Sequence, residues 1–310
     1  MVNIKAILNS NKNLAASYSS LKRKYEIQEE EEEEEEKKPS LTKKQKNKPF
    51  TNLKKQVEEK LLTLYGLEKE ETHHITKGHN CVTIKDQEQA KISHSNLLYG
   101  EILFEGVCKL FDKDHLNVEK ATSLIDLGSG MGKLIVQSFL QYPNLKEIIG
   151  VELASGRYQS SVDALKKLHK METDHFTIIQ EEEEENRKEE KEERISMSSF
   201  QIIENTTGRK VELFQGSLFN LESYISKMDI IICETKLMNT SYSNLCKLLE
   251  KAHPTARLLT YENLDTLYRT IGRSNPFRRL KINKYPEDRF LTSWNNTKGH
   301  HFYLWEWNTV

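Results

Sequence analysis

The sequence predicts an α/β fold, a Rossmann-like and mostly parallel sheet that finishes in an antiparallel hairpin. Three observations carry that reading. Ser123-Leu124-Ile125-Asp126-Leu127 is a short apolar run ending in Gly128-Ser129-Gly130-Met131-Gly132, and a helical pattern follows over 133–141. The same order repeats in Glu147-Ile148-Ile149-Gly150-Val151 and a helical stretch over 155–170. Strands alternating with helices of this length pair in parallel through right-handed crossovers. Near the end, 290–294 and 302–307 are β-rich and joined by Asn-Asn-Thr-Lys-Gly. No helix fits between them, so the two runs are expected to pair with each other as a hairpin.

Taken in order, residues 1–50 read as a disordered, charged tail. An acidic run over 29–36 is followed by a lysine-rich stretch over 37–48. Like charges at this density repel and offer nothing to bury. The lysines suit a nuclear-import signal or a weak DNA contact, and equally a solvated linker. Residues 51–115 read as an N-terminal helical part. Leu53, Val57, Leu61 and Leu64 space a helix over 52–67, closed by Gly66, and Leu97, Ile102, Val107 and Leu110 suggest another over 96–111. From 116 to 310 the α/β domain continues, with further strands expected at 211–214, 228–233 and 257–260. A second acidic run, over 181–194, reads as a loop insertion, tolerable because closure entropy grows only logarithmically with loop length.

The net charge of −1 sums blocks of opposite sign and says little about partners. Cys81, Cys108, Cys233 and Cys246 form no CxxC pair, which suits reduced thiols. No apolar run approaches membrane-spanning length, and Asn3, Lys5 and Asn9 interrupt any signal-peptide core. The expectation is a soluble protein of the nucleus or cytoplasm with no membrane partner.

Chemistry concentrates in the glycine turn. Glycine is needed where a tight turn takes positive φ and brings backbone close to a ligand. A dinucleotide fingerprint would place its third glycine where Lys133 stands. The acid-led spacing Asp126-x-Gly128-x-Gly130-x-Gly132 suits a cofactor without a pyrophosphate, and would pass the methionine part of S-adenosylmethionine with Asp126 near its ammonium. Glu152 ends the second strand, 20 residues past Gly132. An acid there accepts hydrogen bonds from ribose hydroxyls, which argues against a cofactor carrying a ribose phosphate.

These residues resemble a known family. Tyr99-Gly100-Glu101-Ile102, the Asp-Leu-Gly-Ser-Gly-Met-Gly-Lys turn and Gly150-Val151-Glu152-Leu153 are similar to the disruptor-of-telomeric-silencing family of histone-lysine methyltransferases, which lack a SET domain. Ser293-Trp294, Gly299 and Phe302-Tyr303-Leu304 resemble that family's terminal hairpin. The resemblance runs over roughly 96–307, interrupted by the acidic insertion. It implies a class I methyltransferase fold with a seven-stranded sheet, S-adenosylmethionine as cofactor, a nuclear location and a histone or nucleosome as protein substrate. It also implies that Tyr99, Gly100 and Glu101 close over the cofactor, beside Asp126, Gly128, Ser129, Gly130, Gly132 and Glu152.

Two departures stand out. Cys233-Glu234-Thr235-Lys236 replaces the family's Asn-Asn-Phe after the fourth strand, and Gly216-Ser217 replaces its Gly-Asp after the third. Ser217 can still hydrogen-bond an adenine. Glu234 can orient an amine or accept its proton, while an exposed loop glutamate is the plain alternative. Tyr303 and Trp294 are candidates for the acceptor wall, though aromatics in a hairpin also serve as core. His300 and His301 show no partner at ligand spacing, so no metal is assigned. Other acceptors stay open (another protein, an RNA, a small molecule), as does a catalytically silent scaffold and the oligomeric state.

Overall fold

Helices precede the sheet. In the computed structural model of the chain, residues 48–66, 75–181, 197–280 and 289–308 are described. Of the tail expected to be disordered over 1–50, residues 1–47 lie outside the described residues, as does the acidic run beyond Glu181, while residues 48–50 are helical. Residues 53–310 form one compact unit; of the other unit, 1–52, the described part is 48–52.

α1 (Lys48–Tyr65) meets the helix expected over 52–67 and buries Val57, Leu61 and Leu64 on one face. Two short helices follow, α2 (Ile75–Asn80) and α3 (Ile84–Ile92). A capping box opens α3: Thr83 Oγ1 accepts from Asp86 N at 3.1 Å, and Asp86 Oδ2 accepts from Thr83 N at 2.8 Å. α4 (Phe104–Leu110) corrects the longer helix expected over 96–111. Residues 96–103 are not helical, and at their end the backbone pairs elsewhere. Ile102 bridges Thr292 antiparallel, and Leu103 N donates to Leu291 O at 2.9 Å.

The sheet then builds as expected through β1 (Ser123–Leu127), α5 (Lys133–Gln141), β2 (Glu147–Glu152) and α6 (Ser155–Met171). β3 (Phe176–Glu181) and β4 (Ser198–Glu204) flank the acidic insertion, forming an antiparallel pair that sequence reading missed. After β5 (Lys210–Gln215) come α7 (Glu222–Ile225), β6 (Ile230–Cys233), α8 (Tyr242–Leu249), β7 (Arg257–Thr260), α9 (Leu264–Thr270), β8 (Phe277–Arg279), β9 (Arg289–Thr292), β10 (Asn295–His301) and β11 (Tyr303–Trp307). Nine strands lie in the order β3-β4-β5-β2-β1-β6-β7-β11-β8. The seven from β5 to β8 are the class I methyltransferase arrangement, in which β11 is antiparallel to both β7 and β8.

That pairing corrects the expected hairpin. The run 302–307 does not pair with 290–294. It enters the main sheet as β11, while β9 turns back on β10 in a separate two-stranded sheet. Burial decides the matter. Trp305 is fully buried in β11, its Nε1 donating to Thr260 Oγ1 at 2.8 Å, and insertion satisfies the backbone edge of β7. Among the described residues, no helix is long and apolar enough to cross a membrane.

Candidate active site

β1 is buried along its whole length between β2 and β6. The chain runs outward from β1 through β2 on one side and returns through β6 on the other. Ligands of open α/β sheets bind outside the carboxyl ends of the strands at such a reversal. A cavity of about 300 Å³ opens there, at the lower end of the usual range for ligand pockets.

The glycine turn forms its floor. Gly128, Gly130 and Gly132 all take positive φ, at 100°, 56° and 77°. Gly128 N and Ser129 N both donate to Val151 O at 2.9 Å, which pins the turn to β2. Glu152 completes the clamp: Oε2 accepts from Gly130 N at 2.9 Å and Oε1 from Ala154 N at 2.8 Å. A carboxylate has about four acceptor positions, so capacity remains for hydroxyls of a ligand. Burial raises the Glu152 pKa, while Arg157 and the two amides pull it back.

Over the turn lies the segment Tyr99-Gly100-Glu101. Tyr99 Oη donates to Glu101 Oε1 at 2.6 Å, and Lys133 Nζ donates to Glu101 Oε2 at 2.9 Å. The Tyr99 ring packs where Gly130 lacks a side chain, and Trp294 covers Gly100 in the same way. Ser293 and Glu101 exchange bonds: Glu101 N donates to Ser293 Oγ, and Ser293 N donates to Glu101 O, each at 2.9 Å. The end of this segment is therefore tied to the residue that follows β9.

Two carboxyl groups are left wanting. Among the described residues, both oxygens of the fully buried Asp126 lack a hydrogen-bond partner, as does Glu234 Oε2. Burial, then the neighbouring Glu152, pushes Asp126 up to about 8. Glu234 is half-buried as a residue, but its carboxyl is covered, and burial followed by Asp126 and Glu101 raises its pKa. Orphaned buried acids call for an explanation. A cation beside them supplies one.

Tyr99, Gly100, Glu101, Gly128, Ser129, Gly130, Glu152, Ser217 and Glu234 all line the cavity. Asp126 and Gly132 sit within the strand and turn behind it. Tyr303 is the exception. It lies outside the lining, packed against Arg279, with the guanidinium 4.7 Å from its ring. Alternation along β11 explains this. Phe302 and Leu304 join the core on one sheet face, whereas Tyr303 and Trp305 belong to the other. Tyr261 and Trp294 are aromatic residues that line the cavity with Glu234. His300 stacks on Tyr261 at 5.1 Å and meets Trp294 edge-on at 5.4 Å.

Residues 79–207 match the family described as Histone methylation protein DOT1. The matched segment covers less than half of the chain. It contains the lid, the glycine turn and Glu152, and it ends before Ser217 and Glu234. A relative from Candida glabrata, described as histone-lysine N-methyltransferase, H3 lysine-79 specific, is 21% identical over 212 residues, 67% of this chain and 28% of that protein. The chain thus spans about a quarter of that relative's length. Among solved structures, cofactor-bound Rv0187 from MTB is 9% identical with a TM-score of 0.40, covering 73% of this chain and 89% of that one. The SAH-bound methyltransferase PaMTH1 from Podospora anserina is 10% identical with a TM-score of 0.39, covering 88% and 100%. The strand order, not these likenesses, carries the fold assignment.

Beyond the DOT1-family motifs, Lys133, Arg157, Tyr261 and Thr235 also line the cavity. Lys133 was visible in the sequence as a missing glycine and as the last residue of the motif, with no role assigned to it. Thr235 Oγ1 donates to Leu127 O at 2.9 Å and stands where Gly128 has no Cβ.

Asp126 supports a direct test. Folded, its carboxyl keeps a proton to about pH 8, against 3.8 for the ordinary group. Its contribution to stability is fullest below about pH 4 and is lost as pH rises through about 8. Asp126→Asn cannot ionise, so without ligand it should melt above wild type beyond pH 8, the two converging near pH 4. A wild type that stays the more stable at every pH would show that Asp126 is paired in the fold.

Proposed function

We propose that this chain is an S-adenosylmethionine-dependent protein-lysine N-methyltransferase that acts on a histone in the nucleus. The observation that carries it is the pair of under-partnered carboxyl groups, Asp126 and Glu234, at the carboxyl ends of β1 and β6. A site of this kind favours cations, and both a sulfonium donor and a lysine side chain bring one. When bound, the donor supplies an electrophilic methyl group.

The chain's own residues divide the work along the cavity. Glu152 accepts from the donor's ribose, Ser217 and Leu218 flank the adenine, and Asp126 faces the amino-acid end with Lys133 and Glu101. Gly128 and Gly130 leave room for backbone to lie close to the donor, and the Tyr99-Gly100-Glu101 lid excludes water. Positioning and desolvation are the main contributions a protein can make to in-line transfer. On the acceptor side, Glu234 attracts the ammonium and takes its proton, between the faces of Tyr261 and Trp294. Aromatic faces favour a cation as well. The likeness to the Candida glabrata histone methyltransferase supports a histone as the source of that lysine.

The experiment is to incubate purified protein with radiolabelled methyl donor and, separately, nucleosomes, free histones and total RNA. Label on a histone lysine is the expected outcome. Label on RNA and on no protein would overturn the acceptor assignment.

A further inference from the structure

The start of α6 contains a residue that helix electrostatics disfavour. Arg157 stands in the first turn, where the macrodipole repels a cation and the turn itself carries no acidic residue, so the offsetting carboxylate comes from elsewhere in the fold. A local rule broken inside a site points to a function. Arg157 is 2% exposed, and its guanidinium serves four partners. Nε donates to Gly78 O at 2.8 Å, and Nη2 donates to Leu97 O at 2.6 Å. Its plane covers the Tyr99 ring at 4.7 Å, and Nη1 lies 3.7 Å from Glu152 Oε1.

The neighbours of Arg157 grip the same strap, residues 78–97. Ser155 N and Oγ donate to Asp86 at 2.9 and 3.0 Å. Gly156 packs on Cys81, leaving no space for a Cβ. Three consecutive residues at the start of α6 therefore hold the strap that leads into the lid. Only Arg157 also reaches Glu152 and Tyr99.

We propose that Arg157 is a positioning residue of the donor site, fixing the Glu152 carboxylate and the Tyr99 ring in the geometry that receives the donor and tying both to the strap. The proposal rests on Glu152 as the ribose acceptor. A planar fork is what the task requires, since it can donate to two carbonyls, stack on an aromatic ring and face a carboxylate at once. Groups of both signs face Glu152: Arg157 and the amides of Ala154 and Gly130 favour its charged form, while burial and Asp86 of α3 oppose it, and the neighbouring Asp126 of β1 keeps its proton to about pH 8. Without Arg157, Glu152 ionises only at higher pH.

The test titrates S-adenosylhomocysteine into wild type, Arg157→Gln and Arg157→Lys across pH, each also in a Glu152→Gln background. Amide hydrogen exchange at Gly130 and Ala154 is followed without ligand. Arg157→Gln should bind about 10-fold or more weakly at neutral pH, as for a lost charge-assisted contact, and the loss should shrink as pH rises. Arg157→Lys, which keeps the charge and so guards against a variant that fails to fold, should show a smaller loss with little pH dependence. In the Glu152→Gln background the pH-dependent part should vanish. The Gly130 and Ala154 amides should exchange faster in Arg157→Gln. Wild-type affinity and exchange in Arg157→Gln would overturn the proposal, as would a loss equal at every pH and undiminished by Glu152→Gln. Wild type that binds no S-adenosylhomocysteine, with the exchange difference intact, would instead overturn the donor-site reading.

Discussion

Gly130→Val is expected to abolish donor binding. Gly130 takes φ of 56°, a region that β-branched residues avoid. A Cβ there would lie 2.8 Å from the Tyr99 ring, closer than real contacts allow. The branched side chain would push Tyr99 off the turn and disturb the amide that donates to Glu152. Lid, turn and ribose acceptor would fail together. Strain at one such position costs roughly 1–3 kcal/mol, which a domain of this size can survive. Calorimetry should therefore detect no binding of S-adenosylhomocysteine to a variant that still melts cooperatively. Near-normal affinity would mean that the ligand path avoids the glycine turn.

Glu234→Gln should lower turnover on the true acceptor far more than it lowers donor affinity. Loss of a general base costs about 100- to 10,000-fold in rate. An interaction used in the chemical step lowers kcat with little effect on binding. Burial, Asp126 and Glu101 all raise the Glu234 pKa, so the group gains its charge only as pH climbs. Wild-type turnover should accordingly rise with pH through that ionisation, and Glu234→Gln should flatten the limb. Turnover at the wild-type rate in Glu234→Gln would reduce Glu234 to a loop residue beside Tyr261 and Trp294.

The floor of the cavity was legible because it is local. A buried strand, a glycine turn, a helix and an acid at the end of the next strand lie within residues 123–152, and each has its own sequence signal. The lid came from the resemblance, not from periodicity. Spacing of Leu97, Ile102, Val107 and Leu110 suggested helix, whereas residues 101–103 bond to residues 291–293. Long-range pairing overrode the local pattern.

Elsewhere the signal was present but ambiguous. Phe176 and Ile178, like Phe200 and Ile202, alternate as half-buried strands should, but the acidic run between them disguised the pair. Tyr303 was misplaced because a one-residue step in a strand changes the face; Phe302, its neighbour, is the residue in contact with Tyr261 and Trp294. Arg157 left no trace. Its partners at 78, 97, 99 and 152 are gathered only by the fold.

The most direct measurement is a calorimetric titration of the purified chain with S-adenosylhomocysteine, alongside a reduced nicotinamide dinucleotide and the variant Glu152→Ala. One saturable site for the first ligand and far weaker binding of the second are predicted. Glu152→Ala should weaken the first by roughly 10- to 100-fold, the worth of a charge-assisted hydrogen bond. Tighter binding of the dinucleotide, no binding of either ligand, or unchanged affinity in Glu152→Ala would contradict the assignment of this cavity as a methyl-donor site.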